Sequence, residues 1–176
     1  MSAHKPLEGV KVVELASFVA APTAGRMMAE MGADVIRVES TAGDPWRFYG
    51  VNCGLPVADE ENPLFDLYNL GKRDIQLDTK TPEGKEILLR LLGEADVFIT
   101  NNRLKSLVRA DLDYDSLKDR FPKLIYGLVT GYGQTGPDVD APGYDGVAFF
   151  SRSGMLADMA EPGGYPASAP GCVGDG

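Results

Sequence analysis

Asp175 lies between two glycines in Gly174-Asp175-Gly176, and a carboxylate nucleophile there is the best chemical idea the residue types offer. With no side chain on either neighbour, its carboxylate can meet a substrate, although the same pattern also makes an ordinary turn. The chain has a single histidine, His4, in a segment expected to fray. A Ser-His-Asp or Cys-His arrangement is therefore not expected, nor is a histidine-rich metal site. Covalent or acid–base chemistry falls to carboxylates, lysine, tyrosine or cysteine. Seven cations (Arg37, Arg47, Lys72, Arg73, Arg103, Lys105 and Arg109) fall near the carboxyl ends of predicted strands or in the loops after them. Arginine binds phosphate bidentately, so such a gathering in an acidic chain reads as a set of phosphate contacts. A glycine loop, Thr130-Gly131-Tyr132-Gly133-Gln134-Thr135-Gly136-Pro137, directly follows a predicted strand, where its backbone can approach a ligand closely.

The elements that must hold these residues are legible from Gly9 onward. A β-branched run over 10–15 predicts a buried strand, and a small-residue loop follows over 16–21. Pro22 fits the first helical position, Met27, Met28 and Met31 mark one helical face, and Gly32 supplies the cap. Residues 35–38 form the next strand, which completes a βαβ unit with a right-handed crossover. Beyond a turn-rich loop over 40–47 and an aperiodic excursion over 48–62, the pattern predicts a helix over 63–70 and a strand over 75–78. Next come a helix capped by Thr81 and stopped by Gly93, a strand over 97–100, helices from Leu104 and from about Asp113, and a strand over 124–129. Strands alternating with helices predict an α/β fold: a Rossmann-like, mostly parallel sheet covered on both faces, with sites at the carboxyl ends of its strands. A dinucleotide site is disfavoured, because the loop from Ala16 to Ala21 lacks any glycine and Glu39 alone stands where a ribose-binding acid would.

Residues 137–176 differ, with five prolines and eight glycines in forty positions and Arg152 as the only cation. One helix is expected over 144–155 and loop elsewhere. The chain stops on an open loop, which is expected of a piece of a longer protein. A net charge of −9 disfavours nucleic acid as a partner. No apolar run reaches eighteen residues and no signal peptide is evident, so neither a membrane nor export is expected. Cys53 and Cys172, without a C-x-x-C, read as reduced thiols in the cytoplasm.

Several of these stretches, taken in order, resemble the family III CoA-transferases (CaiB/BaiF type). They are Leu7-Glu8-Gly9-Val10-Lys11-Val12-Val13-Glu14-Leu15, Gly32-Ala33-Asp34-Val35-Ile36-Arg37-Val38-Glu39, Gly43-Asp44-Pro45-Trp46-Arg47, Asn69-Leu70-Gly71-Lys72-Arg73, the glycine loop and Gly174-Asp175. Residues 95–103 and 142–150 are most similar to clostridial (R)-2-hydroxyacid CoA-transferases acting on phenyllactate or 2-hydroxyisocaproate. The resemblance implies that Asp175 is a nucleophile forming first a mixed anhydride and then an aspartyl-CoA thioester. It implies backbone N–H donors for the oxyanions near Val19 and Ala20, and CoA contacts from Arg37, Lys72, Arg73, Asn101 and Arg109, with no metal. Residues 1–176 would be the N-terminal portion of the large CoA-binding domain of two interlocked rings in a homodimer. The smaller domain and a shielding glycine loop would lie beyond Gly176. The substrates would be an acyl-CoA and a carboxylic acid, and the setting amino-acid fermentation.

Two departures from the family pattern bear on the ligands, the first against an oxalate or formate substrate and the second against one phosphate contact. Where the oxalate-linked members carry glutamine after a valine in the first loop this chain has Ala20, and where they carry lysine before the later glycine loop it has Thr130. Two rival readings stand beside this one. The first is an acyl-CoA racemase, whose histidine would align with Tyr144, just before Asp145; tyrosine is a poor proton acceptor because its pKa is about 10. The second is a non-catalytic CoA- or nucleotide-binding module.

Overall fold

The computed structural model describes residues 4–58, 60–167 and 172–176; Gly171, at the start of the aspartate loop, lies outside them. The chain divides into two compact units, Met1–Val129 and Thr130–Gly176.

In the first unit, β1 (Lys11–Leu15), β2 (Asp34–Glu39), β3 (Arg73–Gln76), β4 (Val97–Thr100) and β5 (Ile125–Leu128) form one sheet. The strand order is β3-β2-β1-β4-β5, and every pairing is parallel. β1 is central, with Val12 in register with Val35 on one side and Val97 on the other. From β1 the chain builds outward to β3, then returns to add β4 and β5 on the opposite side. The order therefore reverses between β1 and β4, the place where ligands bind sheets of this kind.

Side chains alternate across the sheet and fill two layers. Val13, Phe98, Leu88, Leu92, Leu107 and Leu117 pack on one face, bringing in α4 (Pro82–Glu94), α5 (Leu104–Ala110) and α6 (Tyr114–Leu117). Val12, Val35, Ile99 and Ala21 pack on the other, under α1 (Ala20–Glu30). Thr81 caps α4 as expected, its hydroxyl accepting from Gly84 N at 3.1 Å. Gly93 does not stop that helix, which closes only at Ala95.

α1 departs from its expected form in two ways. It begins at Ala20, which leaves Pro22 in the third position, where a missing N–H still costs no helical hydrogen bond. Its buried face is Ala21, Pro22 and Gly25, while Met27 is 51% exposed, and of the three methionines Met28 alone packs against the apolar cluster, beside Ala24 and Ala29. Small residues win this face because the helix lies close to β1: a methyl group on Gly25 would run into the Glu14 carboxylate. The end of α1 is as expected. Gly32 has φ 104°, its N–H donates to Ala29 O at 3.0 Å, and Ala33 N donates to Met28 O at 3.0 Å, the paired bonds of a Schellman cap.

β3 begins two residues before the expected strand. Its position is set by charge: Arg73 is bonded to Asp34 at 2.6 Å, and Asp74 lies in register with Arg37. Between β2 and β3, Trp46 is buried in a short helix, α2 (Trp46–Tyr49), and Asn62 caps α3 (Pro63–Asn69) through Phe65 N at 3.3 Å.

In the second unit the helix expected over 144–155 is broken. A π-helical turn spans Gly146–Ser151 and α7 spans Met155–Asp158, with Gly154 left-handed at φ 85° between them. The Ser151 hydroxyl donates to Gly146 O at 2.6 Å and that of Ser153 donates to Phe149 O, so side chains take carbonyls that a continuing helix would use. The backbones of Gly131 and Gly143 cross so closely that a Cβ on Gly143 would lie 2.7 Å from the Gly131 Cα.

Candidate active site

At the reversal point of the sheet, the loop after β1 is held from β4. Asn101, the residue after β4, accepts from Ser17 N at 3.1 Å and donates back to Ser17 O at 2.8 Å, and the Thr100 hydroxyl donates to Leu15 O at 2.7 Å. Beyond Ser17 the chain turns through Phe18 at φ 62°, a left-handed conformation uncommon for a bulky residue. Phe18 N donates to both carboxylate oxygens of Asp44, at 3.2 Å each. Val19 then serves as N-cap of α1 without any side-chain cap, so the first amides of the helix have no intrahelical acceptor.

Beneath this loop lies a network of buried charges. Arg37 in β2 is 0% exposed. Its guanidinium meets Glu39 at 2.6 Å, Asp44 at close range, Asp74 at 3.1 Å and Glu14 at 3.4 Å. Lys72 lies 2.8 Å from Glu14 and also donates to Pro22 O at 2.8 Å. Arg47 grips Glu39 with two bonds, of 2.6 and 2.8 Å, and its guanidinium stacks over Phe65. Burial raises Glu14 and lowers Lys72, each against the attraction of the other. Burial also raises Asp44, against the hydrogen bond from Trp46 N.

Glu39 and Asp74 move in opposite directions. Burial alone would raise Glu39, but bonds from Arg47 and from Asp44 N hold it down at about 2. Asp74 is pushed up to about 6 by burial, against the pull of Arg37. A raised carboxyl binds its proton more tightly in the folded chain. The stability it contributes is therefore present below about pH 4 and lost as pH rises through about 6. Asp74→Asn is expected to flatten the fall in urea midpoint between about pH 4 and pH 6. A variant profile parallel to that of the unmodified protein would reject the assignment. Glu39 works the other way, its stabilisation lost only as pH falls from about 4.5 toward 2.

In the second unit, Asp175 closes a tight turn in which its own N–H and that of Gly176 both donate to Cys172 O at 3.1 Å. Its carboxyl is half-buried and is raised above the usual range by burial and then by the charge of Asp145. Asp145, largely buried, accepts from Gly174 N at 2.6 Å, and a side chain on Gly174 would collide with the Phe149 ring. Glycine is thus required before Asp175 by close packing against an aromatic ring, beyond the freedom of a turn.

The expected cation set does not assemble as one phosphate site. Arg37 and Lys72, both expected as CoA contacts, lie in the buried network, where carboxylates meet their charges. Arg73 opens β3 at the amino edge of the sheet, opposite the ligand edge, and is paired with Asp34. Asn101 is at the ligand edge, but its side chain is committed to Ser17. Arg109 lies exposed in the last turn of α5. Glu14, Asp44 and Asp74 were not singled out beforehand as site residues. The available signal was a charge set inside each apolar run, Val12-Val13-Glu14-Leu15 and Val35-Ile36-Arg37-Val38, on strands that prove to be neighbours. Among the described residues no group of three or more His, Cys, Asp or Glu is placed to hold a metal, and no helix is long and apolar enough to cross a membrane.

The sequence profile of CoA-transferase family III matches residues 7–176. This chain belongs to that family. The cinnamoyl-CoA:phenyllactate CoA-transferase of Clostridium sporogenes is 48% identical over 167 residues, which are 95% of this chain and 40% of that protein. The (R)-2-hydroxy-4-methylpentanoate CoA-transferase of Clostridioides difficile is 44% identical over 169 residues, 96% of this chain and 42% of that protein. A CAIB/BAIF family protein from Brucella suis superposes with a TM-score of 0.88 at 40% identity, covering 98% of this chain and 45% of the other. This family III chain thus spans less than half the length of the relatives it matches.

Proposed function

We propose that this chain is the N-terminal portion of the large CoA-binding domain of an enzyme that moves CoA from an acyl-CoA to an (R)-2-hydroxy acid. The observation that carries the reading is the family match reaching as far as Asp175, whose carboxyl is partly exposed and made more basic than usual by its surroundings. Similarity to two clostridial hydroxyacid CoA-transferases supports the acceptor class.

Asp175 attacks the thioester carbonyl, breaking the C–S bond and releasing the thiolate. The resulting mixed anhydride takes the thiolate back at the aspartyl carbonyl, which expels the donor acid and leaves an aspartyl-CoA thioester. The acceptor carboxylate then attacks that thioester, again freeing the thiolate, which closes on the acceptor's acyl carbonyl and restores the Asp175 carboxylate. Each step exchanges one activated acyl group for another, which avoids a single hard displacement. The first-loop amides of Val19 and Ala20 supply donors to the oxyanions. Of the residues first assigned to CoA, Arg109 keeps a free approach to a phosphate, while Asn101 acts by fixing the loop. The reading includes a homodimer at full length, and a cytoplasmic setting in which the thiols of Cys53 and Cys172 stay reduced.

The test is to incubate the full-length protein with an acyl-CoA and weigh its peptides. A CoA-sized adduct on Asp175 is expected. An adduct mapping elsewhere would overturn the nucleophile, and exchange of the substrate's α-hydrogen without CoA transfer would favour a racemase.

A further inference from the structure

The buried network under the first loop has no direct part in the acyl-transfer steps, yet it ends on that loop. The network reaches the loop through the Asp44 carboxylate, which accepts from Phe18 N on one side, from Trp46 N at 2.8 Å on another, and from Arg37 at close range. Asp44 is itself immobilised. Its N–H donates to Glu39 Oε1 at 2.7 Å, and the Trp46 indole donates to Leu64 O at 3.1 Å. Burying this many charges is not a cheap route to stability, because apolar residues of similar volume serve a core at least as well. The arrangement does something an apolar core cannot do: it presents a fixed anion to a backbone N–H at a residue held in the left-handed region. That turn at Phe18 starts α1 at Ala20, and so sets the direction of the amides that follow it.

We propose that Asp44, clamped by Arg37, is the positioning residue of the acyl-transfer site: it holds Phe18 left-handed and thereby aims the amides of Val19 and Ala20. The assignment rests on the acyl-transfer reading above. Asp44 touches no substrate and acts through the backbone it holds.

The test compares Asp44→Asn, Phe18→Gly and the double variant in the full-length protein. The readouts are amide hydrogen exchange of the peptide spanning 16–23 and the rate of Asp175 acylation from an acyl-CoA. Asn keeps an acceptor oxygen but turns an N–H₂ toward Arg37, so the clamp loosens. Exchange at Phe18, Val19 and Ala20 is expected to rise by about tenfold or more. Acylation is expected to slow by about 100-fold with KM changed only a few-fold, the scale of a misplaced catalytic group. Glycine adopts φ near 60° without help, so the double variant is expected to react within about tenfold of Phe18→Gly alone. That rescue separates positioning from a merely structural role, in which removing the strain at Phe18 would recover nothing. If Asp44→Asn alone does not fold, the double variant against Phe18→Gly decides, and a 100-fold gap there overturns the proposal. Unchanged exchange, or an unchanged acylation rate with the Asp175 adduct intact, overturns it and leaves the acyl-transfer reading standing. An unmodified protein that forms no adduct on Asp175 overturns both.

Discussion

Asp175→Asn is expected to stop CoA transfer in the full-length protein if the proposed acyl-carrier role holds: kcat should fall by at least about 10⁴-fold, the scale seen when a covalent nucleophile is removed. The amide nearly matches the carboxylate in size, so the turn through Cys172 O is retained and the loss is chemical. No CoA-sized adduct should form, and acyl-CoA binding should change little, because an interaction made only in the reacting state sets kcat without setting affinity. The pH profile carries a second signature. Burial and the charge of Asp145 raise the Asp175 carboxyl, and the proposed attack requires its ionised form. The acid limb of kcat should therefore lie above the pH of an ordinary aspartate. Removing the charge with Asp145→Asn should move that limb lower, since the amide oxygen can still accept from Gly174 N while the like charge is gone. Turnover that survives Asp175→Asn would end the acyl-carrier reading outright.

How much of this was readable in the chain depends on whether the cause was local. The central strands announced themselves as β-branched runs, and Gly32 as a cap, because those features follow from the residues themselves. The buried face of α1 was misread because methionines at helical spacing look like a core stripe. Gly25 becomes the contact residue only when Glu14 of β1 stands opposite, which no window of helix sequence contains. The register of β3 was missed for the same reason: ion pairs to Asp34 and Arg37 drew in residues that an apolar alternation would leave outside. The surroundings of the cations were the least legible. Counting Arg37 and Lys72 near predicted strand ends could not reveal that Glu14, Glu39 and Asp44 converge on them from separate parts of the chain. The Gly174-Asp175-Gly176 stretch stands out in the sequence because its pattern is local, whereas Asp145, bonded to Gly174 N from twenty-nine positions earlier, does not.

Arg37→Ala is expected to destabilise the first unit by about 3–5 kcal/mol, the cost of stranding buried charge whose partner has gone. Four carboxylates face this guanidinium, and three of them, on Glu14, Glu39 and Asp44, are essentially sealed from water. Lys72 and Arg47 could neutralise part of what is left, but neither offers the planar fork that meets several acids at once. Arg37→Lys should therefore recover only a fraction of the loss. In thermal unfolding of a domain this size the Arg37→Ala effect corresponds to a fall in Tm on the order of 10 °C. Combining Arg37→Ala with Asp44→Asn should cost less than the sum of the two, because one stranded charge is removed with its partner. The control is Arg73→Ala. That arginine makes an equally short pair with Asp34, but both side chains are at least half exposed, 64% and 50%. Screening by water and salt holds such a pair to about 1 kcal/mol or less. A large gap between the two substitutions is thus the expected result. Equal effects would mean that water reaches Arg37, and would restore it as a residue free to meet a phosphate.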